Sequence, residues 1–208
     1  MWKATWFVTW IWVLSVPCRA VDLETLGKLP KGAVLVYEVE TQKGTKPFVI
    51  RIARFRPDAV LEWESESHQG TVHFYRKALQ EADTLLTAGV FEAGVDQEIA
   101  DAASRWLPEK IYRDLGEKHE VRVRLNNFPT KLRVETKESV RLSWNGVEVE
   151  APVLVLRDGR GGSWKFLDVA ANPLLVEYSN AYYRERLVRI ATENVSTLRW
   201  IKNLPPIK

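Results

Sequence analysis

From Ala33 onward the chain alternates apolar and polar residues in short runs. Phe48, Ile50 and Ile52 alternate with Val49, Arg51 and Ala53, Leu61 and Trp63 with Glu62 and Glu64, and Val121, Val123 and Leu125 with Arg122 and Arg124. Successive side chains of a strand point to opposite faces, so each run predicts a strand with one face turned to water. Turn residues separate them at Gln42-Lys43-Gly44, Arg56-Pro57-Asp58, His68-Gln69-Gly70 and Asp158 to Gly162. Asn145-Gly146 supplies the two positive-φ residues of a type I′ hairpin turn. That register sets Trp144 opposite Val147, Leu142 opposite Val149 and Val140 opposite Ala151 on one face, with Arg141 opposite Glu150 on the other. Val153 to Leu156 is apolar at every position and predicts a central strand covered on both sides, with Pro152 marking a bulge or its start. Further strands are expected over Trp164 to Val169, Leu174 to Tyr178 and Arg186 to Thr192.

The middle of the chain departs from this rhythm. Ile99, Ala103, Trp106 and Leu107 recur at helical spacing with Asp96 as a cap, Pro108 restarts the helix, and Glu109 to Leu115 continues it to Gly116. Leu79, Ala82 and Leu86 predict another helix within Ala78 to Ala88. The expected fold is mainly β: a curved antiparallel sheet or partly closed β-barrel with a small helical insert around residues 96–116.

The first twenty residues follow another logic. Ala4 to Val16 carries no charge, Lys3 precedes it, and Cys18 and Ala20 are small residues three back and one back from Val21. This is the three-part pattern of a secretory signal cleaved near Ala20, and the apolar run is shorter than the roughly 20 residues a spanning helix needs. Cys18 raises lipid attachment as an alternative, against which Pro17 argues. The expected organisation is therefore a signal peptide over 1–20 and a single β-rich domain over 21–208, in the periplasm or secreted and not integral to the membrane.

Removing that segment changes the composition. Four of the nine tryptophans and the only cysteine go with it, and the 30 basic residues fall to 28 against 27 acidic ones. The remainder is nearly neutral and thiol-free, which disfavours nucleic acid, thiol chemistry and thiolate metal sites. The spacing of His68, His73 and His119 predicts no metal site, and no cofactor is expected. Gly161-Gly162-Ser163 is the nearest approach to a nucleophile elbow, but it sits where a hairpin turn is needed. Glu62, Glu64 and Glu66 project at period two from one strand, as a solvated outer face does, and Asp168 beside the Ala170-Ala171-Asn172-Pro173 turn reads as a backbone cap. No catalytic residue is assigned. The lack of a closing strand in Leu204 to Lys208 and the helical insert argue against an outer-membrane barrel.

Two segments, Phe166-Leu167-Asp168-Val169-Ala170-Ala171-Asn172-Pro173-Leu174-Leu175-Val176-Glu177-Tyr178 and Ser104-Arg105-Trp106-Leu107-Pro108 before Ile111-Tyr112-Arg113-Asp114-Leu115, resemble segments of a family of uncharacterised exported bacterial β-sheet proteins. The resemblance covers roughly the last half of the chain. It implies a curved antiparallel sheet or partly closed barrel in an exported protein, and it transfers no catalytic residue. The functional expectation is a non-catalytic binding or carrier module for a hydrophobic or envelope-derived ligand, with Trp63, Phe74, Trp144, Trp164 and Phe166 as candidate lining residues. The alternatives are a hydrolase using Glu62, Glu64 or Asp168, which requires two convergent carboxylates, and a structural partner of an envelope protein that pairs through a sheet edge.

Overall fold

The computed structural model describes residues 19–20, 23–66, 68–87, 90–91 and 96–192. The expected signal segment, apart from Arg19 and Ala20, lies outside them, as does Cys18. The strands are β1 (Arg19–Ala20), β2 (Val34–Thr41), β3 (Gly44–Arg54), β4 (Ala59–Glu64), β5 (Gln69–Phe74), β6 (Thr84–Leu85), β7 (Gln97–Ile99), β8 (Ala102–Ala103), β9 (Glu120–Leu125), β10 (Phe128–Trp144), β11 (Val147–Asp158), β12 (Ser163–Leu167), β13 (Leu175–Ser179) and β14 (Tyr183–Ala191). The helices are α1 (Leu23–Gly27), α2 (Arg76–Glu81) and α3 (Glu109–Lys118). All strands belong to one sheet, ordered β7-β5-β4-β3-β2-β14-β13-β12-β11-β10-β9-β6-β8, with β1 alongside β11.

The alternating runs become antiparallel ladders where expected. The Asn145-Gly146 turn has φ of 50° and 83°, and its strands pair Trp144 with Val147, Leu142 with Val149 and Arg141 with Glu150. β14 closes the sheet on itself. One of its edges runs along β2, while the other pairs with β13 over Arg184 to Arg186 and with β10, in parallel, over Arg189 and Ile190. Strands β10 to β14 therefore form a ring, and β2 to β5 curl away from it. Among these strands, β11 shows why a continuous apolar run is central: Val153 and Val155 belong to the core inside the curl, Leu154 and Leu156 to a second core on the opposite face. That second core lies under α3, which contributes Ile111 and Leu115. Pro152 sits within β11 without a break, one residue before pairing with β12 begins at Val153.

The expected helix over 96–107 is not formed. Gln97–Ile99 adds in parallel to the edge of β5, and Ala102–Ala103 adds to β6. The residues that suggested one helical face in fact face two cores: Ile99 and Trp106 pack inside the curl, Ala103 and Leu107 against the second core. Arg105 between them has φ of 65°, which no continuing α-helix tolerates. The helix begins only at Glu109, with Pro108 as N-cap. It runs past Gly116 to Lys118, where His119 at φ 59° donates its N–H to the Leu115 carbonyl. The helix expected within 78–88 is shorter and earlier, ending at Glu81 before β6.

Candidate functional site

The two segments that carry the family resemblance meet in space. Trp106 bridges Leu174, the Leu107 N–H donates to the Pro173 carbonyl at 3.0 Å, and the Leu175 N–H donates to the Arg105 carbonyl at 2.6 Å. Side chains reinforce the seam. The Trp106 indole N–H donates to Asn172 Oδ1 at 2.8 Å, and Asn172 Nδ2 donates to the Leu26 carbonyl of α1 at 2.7 Å. The product of this seam is the placement of Arg105.

Arg105 is buried, with 5% of its side chain exposed, and pairs through Nη2 with Glu185 of β14, 1% exposed, at 2.9 Å. The Tyr183 hydroxyl donates to the same Glu185 carboxylate at 2.7 Å. The guanidinium lies 4.9 Å from the Phe91 ring centre, 5.4 Å from Tyr37 and 5.5 Å from Phe48, so aromatic faces surround the cation. Burial pushes the Tyr37 hydroxyl far above its usual range, partly opposed by the Arg105 charge, and burial with the Glu185 charge does the same to Tyr183. Both phenols stay neutral donors, and Tyr37 donates to the Leu175 carbonyl at 2.8 Å.

A larger opening lies at the other end of the β2–β3 hairpin. It is a cleft of about 640 Å³ between α1 and the tip of the β10–β11 hairpin, with apolar walls from Leu29, Pro30, Phe55 and Trp144. Asn145 holds the tip: its Nδ2 donates to Thr192 Oγ1 at 2.9 Å, and its Oδ1 accepts from the Thr192 N–H at 2.7 Å. Arg56 crosses the cleft wall with its charge already engaged by Glu109 of α3 and by the Ala171 carbonyl at 3.1 Å.

The five aromatic candidates are divided among these places. Trp63 and Phe74 are buried inside the curl, Trp63 with its ring 5.9 Å from those of Phe48 and Phe91. Trp164 and Phe166 stack at 5.9 Å in the second core on the opposite face, where the Trp164 indole N–H donates to Asp158 at 2.9 Å. Trp144 lines the large cleft. The carboxylates are spread too. Glu62 pairs with Arg51 between β4 and β3, Glu64 ends β4, and Glu66, past the end of that strand, pairs with Lys46 at 2.7 Å. Asp168 does not act as a backbone cap. Instead it accepts from the Tyr112 hydroxyl at 2.7 Å and from Lys137 at 2.8 Å, tying α3 to β10. Burial raises the Asp168 pKa, but these two hydrogen bonds and the Lys137 charge more than offset it, leaving the carboxyl below its ordinary range.

Arg105, Glu185, Tyr183 and Tyr37 were not singled out by the sequence. The available signal was the arginine in Ser104-Arg105-Trp106-Leu107-Pro108, an unusual place for a charge between residues that are buried. Among the described residues no group of three His, Cys, Asp or Glu side chains is arranged to hold a metal ion, and no helix is long and apolar enough to cross a membrane.

No protein-family model matches the chain, and no curated protein matches it. Among solved structures the chain is similar to one from the complex of MucA and MucB of Pseudomonas aeruginosa, with 12% identity and a TM-score of 0.37. The similarity covers 86% of this chain, which spans 58% of the length of that neighbour.

Proposed function

We propose that this protein is an exported, non-catalytic binding or carrier module of the bacterial envelope, and that the cleft under α1 seats a hydrophobic ligand. The observation that carries the reading is the cleft itself: about 640 Å³, within the ordinary range of small-molecule pockets, with Leu29, Pro30, Phe55 and Trp144 as its apolar walls. Its two cations, Arg56 and Lys28, are paired with Glu109 and Glu24, so the site suits an uncharged apolar group better than an ion. Export is supported by the apolar run of Ala4 to Val16 and the small residues before Val21. Of the three carboxylates considered for hydrolysis, Glu62 and Asp168 each serve a salt bridge on a different part of the sheet, and Glu64 lies at the end of the same strand as Glu62, which favours binding over catalysis.

Native mass spectrometry of the protein released gently from its own envelope tests this reading, together with titration of N-phenylnaphthylamine, an uncharged apolar fluorophore. The expected results are an adduct of lipid mass and probe binding that Trp144→Ala weakens by about tenfold, the order expected for losing a buried aromatic contact. No adduct, with equal probe binding by both proteins, overturns it.

A further inference from the structure

The geometry points to a second binding site, over Arg105, that takes a small carboxylate with a short aromatic or branched apolar body. A cavity of about 280 Å³ opens there, lined by Arg105, Lys46, Thr87 and Tyr183 and by the apolar faces of Phe48 and Phe91 among others. It lies roughly 20–25 Å from the large cleft, the reach of the β3 residues from Phe48 to Phe55 at the rise of a strand. It is therefore independent of the function proposed above.

Three observations select the ligand. First, the charged side chains in the lining are both cations, while their acidic partners, Glu185 and Glu66, are not part of it. Second, Arg105 is richer in donors than in acceptors. Its Nη2 serves Glu185, its Nη1 reaches Ser104 Oγ only at 3.5 Å, and its buried Nε finds no acceptor among the described residues. A guanidinium presents five N–H groups in a planar fork, and a carboxylate matches that fork better than any neutral group. Third, the Lys46–Glu66 pair on the rim is half exposed on both sides, and an exposed ion pair holds its partners weakly, so Lys46 is free to turn toward a ligand. Phe48, Phe91, Val39 and Pro47 leave room for an apolar body beside the head group. The cavity volume, at the small end of ligand pockets, excludes a long acyl chain.

The test uses the full protein with 3-phenylpropanoate and its neutral analogue 3-phenylpropanamide, titrated by calorimetry and followed through the Arg105 Nε–H resonance. The acid is expected to bind at least about tenfold more tightly than the amide, a margin typical of a charge-assisted contact, and to shift that resonance. Lys46→Glu, on the exposed rim, is expected to weaken the acid severalfold and leave the amide unchanged, which keeps the test valid if Arg105 variants fold poorly. Equal binding of acid and amide, no binding of either at millimolar concentration, or an unmoved Arg105 resonance overturns the proposal.

Discussion

Asn172 offers the sharpest test of how the fold is assembled. It is fully buried, accepts from the Trp106 indole at 2.8 Å and donates to the Leu26 carbonyl at 2.7 Å, so one side chain joins α1, the 104–108 segment and the approach to β13. Asn172→Ala strands both partners in a region where Trp106 is 2% and Leu26 0% exposed. Each orphaned buried group costs about 1–3 kcal/mol, and the vacated volume adds to this. The expected loss is about 3–5 kcal/mol, a large share of the roughly 5–15 kcal/mol that holds a typical domain together. In a chain of this size that is a fall in Tm of roughly 6–20 °C. Urea unfolding followed by circular dichroism measures it, and a double-mutant cycle with Trp106→Phe assigns it. Once the indole N–H is gone, Asn172→Ala strands only one group, so the two losses should fall short of additive by about 1–2 kcal/mol. A loss below about 1 kcal/mol, or strict additivity, refutes the claim that this hydrogen bond organises the seam.

Gly70→Ala places a Cβ 2.9 Å from Nε1 of the Trp63 indole, directly across the strand pair, and Trp63 is too enclosed to yield; the expected cost is about 1–3 kcal/mol with a changed near-ultraviolet circular dichroism spectrum. Asp168 is depressed in the folded state, so the folded protein holds fewer protons there than the unfolded chain. Its contribution is complete above the unfolded pKa of about 4 and is lost as pH falls through the folded value, so the gap in urea stability between the parent and Asp168→Asn should be present at neutral pH and close in acid. Glu185→Leu leaves Arg105 buried and unpaired and should cost about 3–5 kcal/mol, whereas Arg105→Met with Glu185→Leu should recover most of that loss in the same unfolding assay.

What was legible in the sequence was whatever local patterning decides. The Asn145-Gly146 hairpin, its register and the two-faced burial of Val153 to Leu156 follow from turn chemistry and period, and the structure reproduces them residue by residue. The 96–107 segment misled because spacing records which residues are buried but not where. Ile99 and Trp106 serve one core and Ala103 and Leu107 the other, a division that a helix-like spacing hides. The aromatic candidates show the same limit: Trp164 and Phe166 fall on an expected strand, but which face of a ring-forming sheet they occupy depends on how distant strands close. Ion pairing across the fold left little local trace: Arg105 stood out only as a charge beside apolar residues, nothing nearby pointed to Glu185, and the pair was accordingly missed.

That missed pair bears on why the 104–108 seam exists. A buried ion pair is a poor stabiliser, because desolvating both charges offsets most of their attraction, and an apolar pair of similar volume does as well or better. Here the cost is increased further: Arg105 adopts a left-handed backbone conformation unfavourable for a side chain with a Cβ, and its Nε lacks an acceptor among the described residues. Much of the surrounding architecture nevertheless converges on it. Leu175 fixes its carbonyl, the Trp106–Asn172 link anchors the next residue, and three aromatic rings hold the guanidinium from its sides. An arrangement that is costly on stability grounds, yet over-determined in position, is what a preorganised donor requires. Its cavity lies at the opposite end of β3 from the apolar cleft, so the two openings make separate demands on a ligand: the cleft on apolar area, the Arg105 cavity on charge.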